Sequence, residues 1–432
     1  MQGNSAWHVN RAVSLVLLFL LSFVLIPLSP AQADPINHTL DTNFFGMHSI
    51  TTTPKNLPGV TAVRLWDTDT TWRVVNPTQG VWNWTTLDNR VRQANGSEIL
   101  LVLGTTPEWA ATSMSSKDAI WLGSGSASPP KNLADWETYV TNTVTRYKGR
   151  IHAYQIWNEP FLTDFWRGNF SQLADLTKSA YTIIKRIDPD AVVLTAPFLP
   201  RKKNWEKEAG EYLNELAKRD WPIDVFSFHG YAEDGGTPTD HADEVQAVRS
   251  FINVNHVPSK LQIWETEVNY LQDPDKPVHL TPTTEAAWLA RTYLDSSRYG
   301  VNRVYWYAYA DPNPVLQVNV TRPEVLQAYR TLAIWLTGAS LVYCEDNYHG
   351  YTGLTSCLYA RSNGENTQTL WSDTNTEISY SFAGEGTVQT LMGTQRHVEK
   401  NEAMTIGVSP VAYNPSIDNL NPLLPHPDDT ND

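Results

Sequence analysis

From about residue 43 to residue 308 the chain repeats one pattern eight times: a short apolar run, then a longer stretch of helical or loop character. The runs are Asn43 to His48, Thr61 to Trp66, Glu98 to Leu103, Ile151 to Trp157, Ala191 to Ala196, Ile223 to Phe228, Lys260 to Glu267 and Val301 to Ala308. Short continuous apolar runs are strands buried on both faces, the condition of a parallel sheet covered by helices. Between them, Trp136, Val140, Val144 and Tyr147 share one helical face, with Gly149 placed to stop the helix. Leu173, Leu176, Ala180, Ile183 and Ile187 define another, opened by Ser171 as N-cap and closed before Pro189. Eight such units in about 300 residues predict a (β/α)₈ barrel of the TIM type rather than an open doubly wound sheet. No Gly-rich phosphate loop follows the first run, which counts against a dinucleotide fold.

After the last helical pattern, near Arg322 to Leu336, the texture changes to short alternating runs separated by turn residues. Gly353 to Ala360, Thr367 to Ser372, Ile378 to Phe382 and Thr387 to Met392 predict a small antiparallel β domain, sandwich-like, over residues 339–412. The barrel is expected over 34–338, and the Pro-, Asn- and Asp-rich end, 413–432, is expected to be disordered. Residues 1–33 read as a secretory signal: Arg11, an apolar run from Ala12 to Pro27, then Ala31-Gln32-Ala33 as a cleavage site. An uncleaved anchor is the competing reading, but the run is short for a membrane span. A secreted or extracytoplasmic protein without stable membrane insertion is therefore expected.

Hydrophobic residues make up 41% and charged residues 18%, enough apolar surface for a folded chain. A net charge of −14 argues against nucleic acid or an anionic surface as partner. Cys344 and Cys357, the only cysteines, read as one disulfide in an exported chain. Two ligands do not make a metal site, and neither metal nor cofactor is expected.

Two motifs carry chemistry. Ile156-Trp157-Asn158-Glu159-Pro160 ends the fourth run, and Ile263-Trp264-Glu265-Thr266-Glu267 ends the seventh. In a barrel, the C-terminal strand ends form the face where catalytic groups collect. Two carboxylates facing each other there, about 5 to 5.5 Å apart, suit glycoside cleavage with retention, one attacking the anomeric carbon while the other protonates the leaving oxygen. Strand alternation puts Glu265 and Glu267 on the same side, and Glu267, nearer the strand end, is favoured as nucleophile.

These motifs resemble those of the clan A glycoside hydrolases, most closely glycoside hydrolase family 39. The resemblance covers about residues 43–338 and implies Glu159 as acid/base, after the Asn158-Glu159 pair, and Glu267 as nucleophile in a Trp264-x-Thr266-Glu267 setting. It extends to Arg64, His229, Tyr231 and Trp306. Arg64 would hold the nucleophile's charge or serve as a structural ion-pair partner inside the barrel, Asn158 would bind the sugar 2-hydroxyl and Tyr231 would orient the nucleophile, while Trp306 would floor the sugar subsite or pack in the core. His229 is either a substrate contact or a packed strand-end residue. His48, Asp67, Asp69 and Trp72 are weaker candidates, and the long Gly-, Ser- and Pro-rich loop from Gly104 to Lys131 is expected to border the substrate. The implied activity is hydrolysis of a β-linked glycoside or extracellular polysaccharide. A transglycosylase would use the same residues, and an inactive carbohydrate-binding barrel would not require both carboxylates.

Overall fold

The computed structural model describes residues 39–49, 60–94, 96–309, 315–374 and 376–416. The segment read as a secretory signal, with its expected cleavage site, lies outside them. Eight strands close a parallel barrel in chain order: β1 (Phe45–Ser49), β2 (Ala62–Leu65), β3 (Glu98–Leu103), β4 (Ala153–Ile156), β5 (Val192–Leu194), β6 (Val225–His229), β7 (Gln262–Val268) and β8 (Arg303–Tyr309). Each falls largely within one of the eight apolar runs. Between β2 and β3 lie α1 (Trp72–Val75) and α2 (Thr85–Ala94). The strands β3 to β8 are each followed by one helix: α3 (Leu133–Tyr147), α4 (Phe170–Ile187), α5 (Trp205–Ala217), α6 (Pro238–Val254), α7 (Pro282–Arg298) and α8 (Pro323–Leu336).

The helices bury the stripes that their spacing promised, with Trp136, Val140, Val144 and Tyr147 all inside on α3. On α4 the cap differs from the expected Ser171. Asn169 caps the helix, its side chain accepting from the Gln172 backbone while the Gln172 side chain accepts from the Asn169 backbone. This reciprocal box satisfies two orphan donors at once, which Ser171, already inside the helix, cannot do.

Inside the barrel the side chains form two unlike layers. Ala62, Leu100, Ala153, Leu194, Val225, Trp264 and Tyr305 make an apolar plug. Two residues further along four of those strands the lining turns polar: Arg64 donates to Gln155, 2.9 Å, and Gln155 donates to Ser227 and Thr266, at 2.9 and 3.0 Å. Every member of that layer is buried, so its polar atoms must satisfy one another. The plug keeps water from below; the polar layer forms the base of a site at the strands' C-terminal ends.

Beyond α8, strands β9 (Ala339–Asp346), β10 (Leu354–Arg361), β11 (Asn366–Ser372), β12 (Ile378–Ser381), β13 (Gly386–Thr390), β14 (Gln395–Val398), β15 (Ala403–Ile406) and β16 (Val411–Pro415) form the expected antiparallel region. Six make one sheet, in the order β14-β13-β16-β11-β10-β9, and β12 pairs with β15 as a ribbon. Leu354, Leu358, Leu370, Tyr380, Phe382 and Val398 share its core. Cys344 and Cys357 face each other across β9 and β10 and are joined as a disulfide. The disorder expected from Tyr413 does not hold for the residues that end β16, because Val411, Ala412 and Tyr413 are buried and the Tyr413 hydroxyl donates to the Gly384 carbonyl at 2.9 Å. Residues 417–432 lie outside the described ones.

The segment ahead of β1 is bound to the start of β9. Thr39 bridges Ser340, the Leu40 amide donates to the Ala339 carbonyl at 2.8 Å, and the Gly338 amide donates to the Leu40 carbonyl at 2.7 Å. Among the described residues no helix is long and apolar enough to cross a membrane.

Candidate active site

Above the polar layer, Arg64 organises the mouth. Its guanidinium donates to Glu267 Oε1 and to Asn158 Oδ1 at 2.7 Å, and meets His48 Nε2 at 2.7 Å. With Gln155 as fourth partner, the fully buried cation is surrounded by acceptors, one of them ionic, which a buried arginine needs. Arginine has no acceptor, so Nε2 of His48 receives the hydrogen bond and its Nδ1 carries the proton. That Nδ1 lies 3.6 Å from Asp67 Oδ1, and the Tyr307 hydroxyl donates to Asp67 Oδ2 at 2.5 Å. Burial would raise the Asp67 carboxyl, but its contacts with His48 and Tyr307 outweigh it and hold the pKa below the ordinary value.

The turn after β4 presents Glu159. Trp157 and Glu159 both have positive φ, 72° and 41°. Such backbone costs a non-glycine residue about 1–3 kcal/mol and persists only where the surroundings impose it. Here Trp157 supplies the restraint: its indole donates to the Phe165 carbonyl at 2.7 Å and its ring packs against Trp136 and Trp166.

On β7 the strand register shifts. Phe228 pairs with Glu265 but His229 pairs with Glu267, so Thr266 is an extra residue, a β-bulge. The expectation that Glu265 and Glu267 share a side is therefore wrong. Glu265 leaves the barrel interior for the helix layer, bonded to His241 of α6 at 2.8 Å and Ser296 of α7 at 2.7 Å. Glu267 enters the mouth with Thr266 and takes the Tyr231 hydroxyl at 3.1 Å on its second oxygen.

His229 joins the two glutamates, with Nδ1 2.8 Å from Glu159 Oε1 and 3.5 Å from Glu267 Oε2. Burial drives its pKa down to about 3, so the ring is neutral at ordinary pH. Burial also raises the pKa of Glu159, opposed by the charges of Arg201 and Arg64. The Glu267 carboxylate itself is paired with Arg64. One oxygen of each glutamate and a ring nitrogen of His229 all lie within 4.8 Å of one another. That trio could geometrically chelate a cation, but the Arg64 charge already held on Glu267 disfavours one there.

Arg64, Asn158, Glu159, His229, Tyr231 and Glu267 thus come together, and His48 and Asp67 join them. Trp306 does not. It pairs with Met47 and Val268 and is fully buried between the barrel and α7, near Tyr270 and Tyr293. The aromatic that β8 gives the mouth is Tyr307, near His48 and Tyr231. Period-two alternation from Tyr305 in the plug would have found it. Trp72 is likewise core, stacked on Tyr139, and Asp69 is exposed. Arg201, over the Tyr231 ring at 5.5 Å, carries no motif that marks it in the sequence.

The profile described as "Glycosyl hydrolases family 39" matches residues 60–319. A β-xylosidase of Geobacillus stearothermophilus is 24% identical over 215 residues, 44% of this chain and 42% of that protein, so the match spans under half of the relative's length. The structure of a family 39 glycoside hydrolase from the gut symbiont Bacteroides cellulosilyticus WH2 superposes with a TM-score of 0.65 at 16% identity, over 88% of this chain and 82% of that one. A glucosidase from Croceicoccus marinus superposes with a TM-score of 0.58 at 14% identity, over 88% and 97%. At such identities the structural likenesses speak for the fold.

Proposed function

The chain belongs to glycosyl hydrolases family 39, and from that premise we propose that it hydrolyses a β-linked glycoside with retention, Glu267 as nucleophile and Glu159 as acid/base. The observation that carries this reading is the approach of the two carboxylates to within 4.8 Å. An inverting pair stands about 6.5–9.5 Å apart to admit water between sugar and base, whereas a retaining pair needs only about 5–5.5 Å.

In the first step a Glu267 oxygen bonds to the anomeric carbon as the glycosidic bond breaks, and the proton of Glu159 goes to the departing oxygen. In the second, Glu159 takes a proton from water, whose oxygen attacks the same carbon and releases Glu267. The environments suit these tasks. Arg64 and Tyr231 hold Glu267 for attack, and burial keeps a proton on Glu159 beyond the ordinary carboxylate range. Asn158 commits its oxygen to Arg64 at 2.7 Å, which turns its NH₂ donors toward a sugar 2-hydroxyl. Because one relative is a β-xylosidase, a β-xyloside is the first substrate to try. The signal-like N-terminus and the disulfide support action outside the cytoplasm.

The test is to incubate the protein with aryl β-glycosides, the xyloside first, and follow the freed sugar by proton NMR before mutarotation. The β anomer appearing first supports the reading; the α anomer first, or no cleavage of any glycoside, overturns it.

A further inference from the structure

The loop between β3 and α3 carries an exposed apolar patch. Ile120 is 93% exposed and Trp121 59%, adjacent residues that meet solvent on a loop held firmly beneath. Exposed large side chains side by side are a liability unless something covers them. The underside is a separate small core in which Trp66, Val102 and Leu122 pack together with Ala119 and Phe165. Trp121 lies 5.7 Å from the Trp66 ring and 6.4 Å from the Phe165 ring, both at steep angles, so no ring lies parallel upon it.

The loop is tied to the segment that carries Glu159. Buried Asp118 accepts from the Gly125 amide at 2.5 Å and pairs with Arg167, and the Ala119 amide donates to the Asp164 carbonyl at 3.1 Å. Asp164, Phe165 and Arg167 all follow Glu159 on the turn after β4. The residue that protonates the leaving oxygen necessarily faces the leaving group, so a surface continuous with its turn lies on the leaving-group side. Sugar rings present an apolar C–H face flanked by hydroxyls, which suits an indole with an apolar face and a polar N–H.

We propose that Trp121, flanked by Ile120 and Phe165, is a stacking platform for the leaving-group sugars of an oligomeric β-glycan, which makes chains rather than short glycosides the preferred substrates. This rests on the retaining-glycosidase reading for its orientation. The platform is preformed, so binding a glycan there requires little ordering of the loop.

Trp121→Ala, Trp121→Phe and, as a distant exposed control, Ile334→Ala on α8 should be compared with the wild type on linear β-1,4-linked xylo- and gluco-oligosaccharides of about six sugars and on an aryl monoglycoside. Expected is a tenfold or greater loss of kcat/KM on the better oligosaccharide for Trp121→Ala, mostly through KM, with the aryl glycoside within twofold. Trp121→Phe should restore much of the loss, and Ile334→Ala should change nothing. Equal kinetics of Trp121→Ala and wild type on the oligosaccharide overturn the platform, and so does an equal loss on both substrates. Binding isotherms with the same oligosaccharides separate this inference from the one beneath it. Weaker binding by Trp121→Ala, with a wild type that cleaves nothing, sinks the catalytic reading and keeps the platform. Unchanged binding, or none by the wild type, sinks the platform.

Discussion

Glu265 and Glu267 stand two residues apart on β7 and face opposite sides of the barrel wall, because the bulge at Thr266 breaks the alternation between them. Substitution should separate them by phenotype. Glu267→Ala should abolish turnover even with a very good leaving group, and azide should then yield the α-glycosyl azide. Glu265→Ala should keep the chemistry and lose about 2–4 kcal/mol of stability in denaturant melts, since His241 and Ser296 are left buried without their acceptor. An α-azide from Glu265→Ala would move the nucleophile to the wrong side of the wall and refute the assignment.

Glu159→Ala should still be glycosylated by a substrate whose leaving group departs without a proton, and should then stall. Azide should restart it and give the β-glycosyl azide. Burial raises the Glu159 pKa, so wild-type cleavage of a poor leaving group should decline as pH climbs through that raised value, because the acid is then ionised. The variant, tested with an activated substrate, should lack this alkaline decline; stopped-flow pH profiles of both would check it.

Neutral His229 should make the fold labile to acid. Its folded pKa is about 3 against about 6.5 for an unfolded histidine, so between those values the unfolded chain binds a proton that the native chain refuses. Stability therefore falls as pH drops from about 6.5 toward 3, by at most about 4–5 kcal/mol. His229→Gln, with no titrating ring, should show a flatter dependence of melting temperature on pH across that window. Parallel profiles for variant and wild type would show that His229 is not the acid-sensitive group.

Adjacent residues on β8 should fail in different ways. Trp306→Phe trims a fully buried core ring, and should cost about 1–3 kcal/mol with kcat/KM within twofold. Tyr307→Phe removes the hydroxyl that holds Asp67, and should lower kcat/KM by about tenfold or more with a smaller change in melting temperature. The reverse pattern would return the sugar floor to Trp306.

The barrel was legible because eight buried strands and their helices leave a periodic trace, and nearly every apolar run holds most of its strand. The placement of Glu159 and Glu267 at the barrel mouth was legible because Asn-Glu and Thr-Glu stand at strand ends. What escaped was decided by single-residue geometry. A bulge inserts one residue without changing composition, so Glu265 and Glu267 looked equivalent until the pairing with Phe228 and His229 separated them. The resemblance points to Trp306, although the neighbouring Tyr305 and Tyr307 hold the inward positions. Asn169 displaced Ser171 as cap because the cap bond depends on where the first helical turn begins. Asp67 is marked only by its place after β2, which gives it no role, and Arg201 acts through space on Tyr231 with no local pattern to mark it.

The bond between the segment before β1 and the start of β9 bears on the order in which the molecule can be completed. Strand β1 must wait for β8 to close the barrel, and Thr39 and Leu40 must wait for Ser340 and Ala339, some three hundred positions later in synthesis. A chain emerging N-terminus first therefore carries an open, unpaired β1 edge until almost all of the barrel has been made. Thr39 and Leu40 then work as a suture: the earliest-made part of the barrel is fastened by the first strand of the sheet made after it, and cutting the chain after Gly338 would remove the links to Ala339 and Ser340 along with that sheet.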